Sequence, residues 1–417
     1  MPAETSRLTR LLHKVLFVLN VLLVLPGTLA MLAPYIPSTT WWVPNVLALL
    51  MPWLLLPMLL WAIVWGTLRR WKFLLLNLAL LALGWPTLTL TWQYNGAGPT
   101  SRFDIKVLSL NVKAFSYKHA HWQRMQALIA EQQPDVVCLQ EFYEVQVRKP
   151  SYFAQMKSAL GFKYHQFIEL TPGKRFGLLF LSRFPIKDAG AVTEVTKRTR
   201  NGIAYADLAL YGQQLRVYNM HLESYRLSEQ ERGMVFENTA FAAAEPEEAS
   251  ETKPRTRKRR RKTTDTPATH ETESPTTTPA DTPSTDPNAG TQALAAQGSW
   301  WNTIKLMLRK WRIHLNQVSL YQDHLAQWGD RPVVVCADLN NVPYSYLYRQ
   351  VRGDLRDSFM ARGSGRGHTY GAGMRSLRID YILASKQLVL VTHRLVDTQG
   401  LSDHQGVLVR LRFPFHN

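Results

Sequence analysis

Pro332-Val333-Val334-Val335-Cys336-Ala337-Asp338-Leu339-Asn340 is the stretch on which the reading of this chain turns. A short run of small, largely β-branched residues opened by a proline has the composition of a buried strand. It ends on Asp338 and Asn340, and period-two alternation puts both on one face. A carboxylate beside an amide at the end of a buried strand can orient a water and take its proton.

Three more strings repeat the design, with polar, metal-competent residues at the carboxyl end of an apolar run. Val107-Leu108-Ser109-Leu110-Asn111 delivers an amide that can meet a metal or a phosphate oxygen. Read singly, Asn111 is better explained as an asparagine in a turn. Pro134-Asp135-Val136-Val137-Cys138-Leu139-Gln140-Glu141 ends on a hard oxygen ligand of the kind Mg²⁺ takes. Tyr218-Asn219-Met220-His221-Leu222-Glu223-Ser224 points Asn219 and His221 to one face. His221 could donate to a phosphate oxygen, or be structural. Two further strings are Arg378-Ile379-Asp380-Tyr381 and Ser402-Asp403-His404. The second sets a carboxylate next to an imidazole, and Asp380 could hold that imidazole in its useful tautomer.

Around these strings, short apolar runs alternate with amphipathic stretches. Strands are expected at 105–111, 136–140, 177–181, 204–210, 215–220, 333–337, 379–383 and 406–411, and helices at 121–132, 151–160, 300–327 and 346–352. Many strands with interspersed helices predict a layered α/β sandwich. Residues 242–297 break the pattern: charged blocks, then Thr, Pro, Ser and Asp, with almost no large apolar side chain. Such a segment cannot offset its ordering entropy and reads as a disordered insertion within one domain. No internal repeat is visible.

The first hundred residues differ. Apolar stretches at 15–35, 42–66 and 73–92 contain no Asp, Glu, Lys or Arg. Each approaches the ~20 residues a helix needs to cross ~30 Å of hydrocarbon. Pro26, Pro57 and Pro86 interrupt them, which membrane helices tolerate. Trp41, Trp42, Trp65, Trp71 and Trp92 fall near their ends, where indoles suit the interface. A cleaved leader is the alternative for the first stretch, with Arg7, Arg10 and Lys14 as its basic region and Thr28-Leu29-Ala30 as its small residues. Two further stretches directly behind favour three transmembrane helices. Arg7, Arg10 and Lys14 before the first, and Arg69, Arg70 and Lys72 before the third, place those segments in the cytoplasm. The domain after them, a multi-pass protein's catalytic part, is then non-cytoplasmic. Residues 1–97 are read as the membrane anchor, Asn95-Gly96-Ala97-Gly98-Pro99 as a flexible tether, and 98–417 as the catalytic domain.

Composition adds less. The 417 residues carry a formal charge of +18, which favours phosphate-bearing partners, but much of the excess lies in the run 253–262 inside the insertion. The two cysteines, Cys138 and Cys336, sit in strand-like runs without metal-ligand spacing and read as buried thiols, so they leave the redox compartment open.

Taken together and in this order, the strings resemble the endonuclease/exonuclease/phosphatase superfamily across about residues 104–414, the insertion aside. Gly177-Leu178-Leu179-Phe180-Leu181-Ser182-Arg183-Phe184-Pro185-Ile186 and Gly367-His368-Thr369-Tyr370 add to the resemblance. It implies a four-layered α/β sandwich, two packed sheets flanked by helices, with the site at one end. By matching position it implies that Glu141 binds catalytic Mg²⁺ with help from Asn111 and Asp403, Mn²⁺ also fitting the ligands. Asp338 would orient or deprotonate water with Asn340 assisting. His404, held by Asp380, would stabilise the pentacovalent transition state, and His221 would be a second donor or acid. One departure stands out: where some DNA-repair members carry an acid two positions after the Asn of the first string, this chain has Lys113. That weakens a two-metal reading.

The expected function is a membrane-anchored, metal-dependent phosphoesterase hydrolysing phosphodiester bonds, with the lipid bilayer as partner and a lipid headgroup or nucleic acid as substrate. An extracytoplasmic endonuclease is the alternative enzyme, using Lys113, Arg148, Lys149, Arg198 and Arg200 as a basic groove. A catalytically inactive membrane scaffold is the non-enzymatic alternative.

Overall fold

A computed structural model describes residues 2–114, 119–144, 152–195, 200–224, 300–371 and 376–413. Residues 1–226 and 303–417 form one compact unit; residues 227–302, the other, fall almost wholly outside the described residues, as does the expected insertion.

Helices α1 (Pro2–Ala30), α2 (Trp42–Ala48), α3 (Met51–Thr67) and α4 (Trp71–Thr89) open the chain. Small residues let them approach closely. A Cβ on Gly27 would lie 2.8 Å from Met58, and one on Gly84 2.5 Å from Met31. Asn20 accepts from the Trp65 indole at 3.2 Å, and Arg70 reaches His13. Because His13 and Arg70 meet at one end while Gly27 meets Met58 and Gly84 meets Met31 further along, α3 runs antiparallel to both α1 and α4. The second apolar stretch is not one continuous helix: α2 and α3 meet at 84°. Pro52, in the first turn of α3, has no backbone N–H to bond back across the break to Ala48 at the end of α2. By length and composition, two helices suffice to cross a membrane, and the bent pair makes a third if it is one span.

Strand β1 (Trp92–Tyr94) follows α4 directly. The segment expected as a loose tether is strapped to the domain instead. Asn95 bonds to the carbonyls of Gly363 and Met360, and Gly98 N–H to Val391 at 2.8 Å. Asn95 and Gly98 thus tie the backbone of this segment to the domain, while Gly96 and Ala97 between them face solvent.

The sandwich comes from alternation. Strands β2 (Ile105–Asn111), β3 (Val136–Tyr143), β4 (Tyr164–Thr171) and β5 (Phe176–Ser182) join β13 (Val389–Val396) and β14 (Gly406–Arg412) in one sheet, ordered β13-β14-β2-β3-β5-β4. Strands β6 (Ile186–Ala191), β7 (Gly202–Leu210), β8 (Gln213–His221) and β9 (Val333–Asp338) join β10 (Arg356–Asp357) and β12 (Asp380–Ala384) in the other, ordered β10-β12-β9-β8-β7-β6. A two-stranded pair links β1 to β11 (Ser364–Arg366). Inward residues such as Val107, Val136, Cys138, Val217, Val334 and Cys336 form the core between the sheets. Their outward neighbours pack on helices. Leu108, Leu110 and Val137 meet α5 (His119–Gln132) and α6 (Tyr152–Leu160). Tyr218, Met220 and Val335 meet α7 (Trp300–Trp328) and α8 (Tyr346–Arg352). A short helix, α9 (Ser358–Arg362), closes one side. The result is helix, sheet, sheet, helix: the four-layered sandwich expected. Cys138 and Cys336 are both buried free thiols.

All eight expected strands form. Six strands among the described residues were not expected: β1, β10 and β11 are only two or three residues long, and β4, β6 and β13 carry polar side chains and are half exposed, so their apolar runs are weak.

Candidate active site

On each central strand the inward face turns from apolar to polar toward one end, and its last inward residue is polar. In β2 it is Asn111, in β3 Gln140, in β8 His221 and in β9 Asp338; β12 runs the other way and begins on Asp380. Register then aligns them. β8 and β9 are parallel with His221 opposite Asp338, and β12 pairs with β9 so that Asp380 is opposite Asp338. One row across the sheet is therefore His221, Asp338, Asp380, facing Asn111 and Gln140 of the other sheet.

Asp338 is fully buried. Its Oδ1 accepts from Asn340 N–H at 2.9 Å and its Oδ2 from Asn111 Nδ2 at 2.9 Å. The Nε2 atoms of His221 and His404 lie 3.7 and 3.8 Å from that same Oδ2. His404 Nδ1 meets both oxygens of Asp380, at 3.0 and 3.1 Å. Burial opposes charge on the imidazole, but Asp380 and then Asp338 outweigh it and push His404 up to about 10. Burial, with Asp338 nearby, pushes Asp380 up to about 6 against the pull of His404. At neutral pH the two are an ion pair.

Glu141 lies nearer the mouth, 29% exposed, accepting from Asn111 Nδ2 at 3.1 Å with His221 Nε2 at 3.5 Å. A bulge aims it: pairing of β3 with β5 shifts between Leu139 and Phe142, and Glu141 takes a left-handed φ of 50°. Gly177 opposite is obligatory, since a Cβ there would stand 2.0 Å from the Ile168 carbonyl. Asn340 and Lys113 are also left-handed, at 48° and 46°. Such conformations cost of order 1–3 kcal/mol each and persist where surroundings enforce them.

The donor set suits a hard cation. Acidic Glu141, Asp338, Asp380 and Asp403 outnumber the bases around them, and carboxylates packed so closely are costly without a counter-charge. Asp338, Asp380 and His404 can bring one ligand atom each within 4.8 Å of one another. Asp380 already holds His404 Nδ1, however, so the open, half-exposed Glu141 is the better first ligand, with Asp338 beside it. Asn111 presents its amide nitrogen to both carboxylates, because its oxygen accepts from Lys113 N–H at 2.9 Å. It thus joins Glu141 to Asp338. Asp403 is held by Lys113 Nζ at 3.0 Å. Lys113 thereby offsets one of the four acids. Arg148, Lys149 and Arg198 lie outside the described residues.

Other groups had no assigned role in the sequence. Asn201, before β7, donates to the Leu222 carbonyl and stands 3.2 Å from His221 Nε2. Thr369 Oγ1 accepts from Asp380 N–H at 3.0 Å. Gln140 donates to Asn219 Oδ1 at 2.7 Å, tying the two sheets together beneath the site. Glu223 is gripped by Lys310, His314 and Gln317 of α7. Their spacing along one helical face was the one signal available for that grip.

The model of the Endonuclease/Exonuclease/phosphatase family matches residues 108–404, and that of a domain of unknown function matches residues 13–91. Similar solved structures include an endonuclease/exonuclease/phosphatase from Beutenbergia cavernae DSM 12333, 16% identical, covering 75% of this chain and 72% of that one, with a TM-score of 0.43. The endonuclease/exonuclease/phosphatase from Bacteroides vulgatus is 13% identical over 75% of this chain and 99% of that one, at 0.46. The human Nocturnin catalytic domain with bound sulfate anion is 16% identical over 75% and 94%, at 0.45. No curated protein matches.

Proposed function

We propose that this chain, which belongs to the endonuclease/exonuclease/phosphatase family, is a membrane-anchored phosphodiesterase that uses a divalent cation and attacks phosphorus with water. Membership makes it a hydrolase of the phosphodiesterase and nuclease type. The observation that carries the finer reading is the buried Asp338 carboxylate between two imidazoles, with the half-exposed Glu141 beside it.

Glu141 would hold the cation with Asp338 adjacent and Asp403 at the mouth; Mg²⁺ is preferred, and Mn²⁺ fits the same oxygens. When bound, such an ion draws charge from a phosphoryl oxygen and eases approach of an anionic nucleophile. Asp338 is held by Asn340 N–H and Asn111 so that Oδ2 faces the reacting space, where it can take the proton of water. His404, charged at neutral pH, donates from Nε2 to a phosphoryl oxygen as negative charge builds there. Asp380 fixes the orientation and charge of the ring by accepting from Nδ1–H. His221 supplies a second donor on the same side, to a phosphoryl oxygen or to the leaving oxygen.

The anchor reading rests on the helices. Arg70 stands by His13 at the bundle end away from the domain, and Arg10, Lys14, Arg69 and Lys72 are its sequence neighbours. If α1, α3 and α4 each cross, the positive-inside rule leaves the catalytic domain on the non-cytoplasmic side.

The test is turnover by the full-length protein on bis(p-nitrophenyl) phosphate. Asp338→Asn and His404→Gln should each lower the rate by about 10²–10⁴ with circular dichroism unchanged. A near-normal rate in either variant would remove the assignment.

A further inference from the structure

The loops that carry the reacting groups rest on the end of the helical bundle. Beyond Asp338 and Asn340 the chain passes through Val342 and Tyr344, which are buried in the same apolar cluster as Ala30, Ala33, Met51 and Leu55. The loop behind Asp380 and His404 is fastened there too. Gly367 N–H donates to the Thr91 carbonyl just after α4, and Leu377 packs on the cluster. Between them Thr369 binds the Asp380 N–H, and the Tyr370 ring lies 4.8 Å from that of His404. Arg349 of α8 stacks on Tyr35 at the end of the first span. The site's open end and the bundle's domain-side end are thus the same end of the sandwich.

Irregular backbone does not enter hydrocarbon exposed to lipid. Trp41, Trp42 and Trp92 flank this end as interfacial aromatics do. If the helices span, the loop at Val342–Tyr344 therefore sits at headgroup level, a layer roughly 5–7 Å deep.

We infer that the phosphodiester taken by this site is that of a phospholipid headgroup in the bilayer that holds the anchor. The inference rests on the phosphodiesterase reading above. Tethering sets such headgroups at high effective concentration beside the site. A nucleic acid needs several phosphate contacts along a basic groove, and it would have to lie against a phosphate-bearing surface. The reaction is water addition across one P–O bond. The water oxygen bonds to phosphorus, the ester oxygen leaves with a proton, and a phosphomonoester and an alcohol result.

The experiment uses the full-length chain in vesicles of phosphatidylethanolamine and phosphatidylglycerol, diluted stepwise with a phosphorus-free glycolipid, with Asp338→Asn as blank. Parallel samples receive bis(p-nitrophenyl) phosphate or a single-stranded oligonucleotide in bulk. Support is release of diacylglycerol or phosphatidate that falls with the surface fraction of phospholipid at constant bulk concentration. Cleavage of the chromogenic diester with intact lipid overturns the lipid assignment alone, and a cut oligonucleotide would name nucleic acid in its place. Loss of none of the three substrates overturns the phosphodiesterase reading and the inference with it.

Discussion

Asp338 shows how one residue becomes a reactive group. Its carboxylate is fully buried, yet both oxygens are occupied by donors that fix which lone pairs remain for chemistry. Asp380 acts on substrate only through His404. Asp380→Asn should therefore lower kcat by about 10²–10⁴. It should also shift the His404 imidazole titration downward in NMR, which a merely structural role would not do. A variant with an unmoved His404 titration would show that the pair does not hold the ring. The residues of this row were legible in the sequence because each ends or begins an apolar run, and period-two alternation says which face it takes. Asn201 and Thr369 were not legible as partners, since their bonds join segments whose proximity only the sheets create.

At the scale of elements, bulges and helix faces do the aiming. The β3 bulge turns Glu141 out of the ladder toward the mouth, and no pattern in the apolar run announces it. Central strands were legible as apolar runs bounded by turn residues; edge strands β4, β6 and β13 were hidden by polar side chains that face water. Helix α7 packs an apolar face on the sheet and yet buries Lys310 and His314 against Glu223. Burial holds His314 down at about 4, and likewise His393 of β13, both well below the usual 6.5. Between those values the unfolded chain binds two protons that the folded chain refuses. Stability from this source is full above pH 6.5 and is lost as pH falls to about 4, by roughly 3 kcal/mol per histidine at most. Thermal melts across that window should fall steadily, and His393→Phe should flatten the fall. Melts that are level from neutrality to pH 4 would show that these rings are not held neutral.

Across the whole molecule, the apolar N-terminal stretches, the α/β sandwich and its order of strings were all readable from sequence. What was not readable is that anchor and domain share a wall, because the contacts of Val342, Tyr344 and Leu377 with the bundle follow from tertiary placement. The proposed topology has a direct check. The native thiols are buried, so they leave a quiet background for labelling. Tyr94→Cys, at a position 82% exposed, should react in intact cells with a membrane-impermeant maleimide. Trp71→Cys should react only after permeabilisation. The opposite pattern would put the domain in the cytoplasm. The most direct test of metal-assisted hydrolysis at this site is turnover of bis(p-nitrophenyl) phosphate by the purified full-length chain as Mg²⁺ is titrated back after chelation, wild type beside Glu141→Gln. Turnover is expected to vanish with chelator, to return with Mg²⁺, and to need about tenfold or more Mg²⁺ in the variant. A rate untouched by chelator, or equal Mg²⁺ dependence in both proteins, would contradict a metal site built on Glu141.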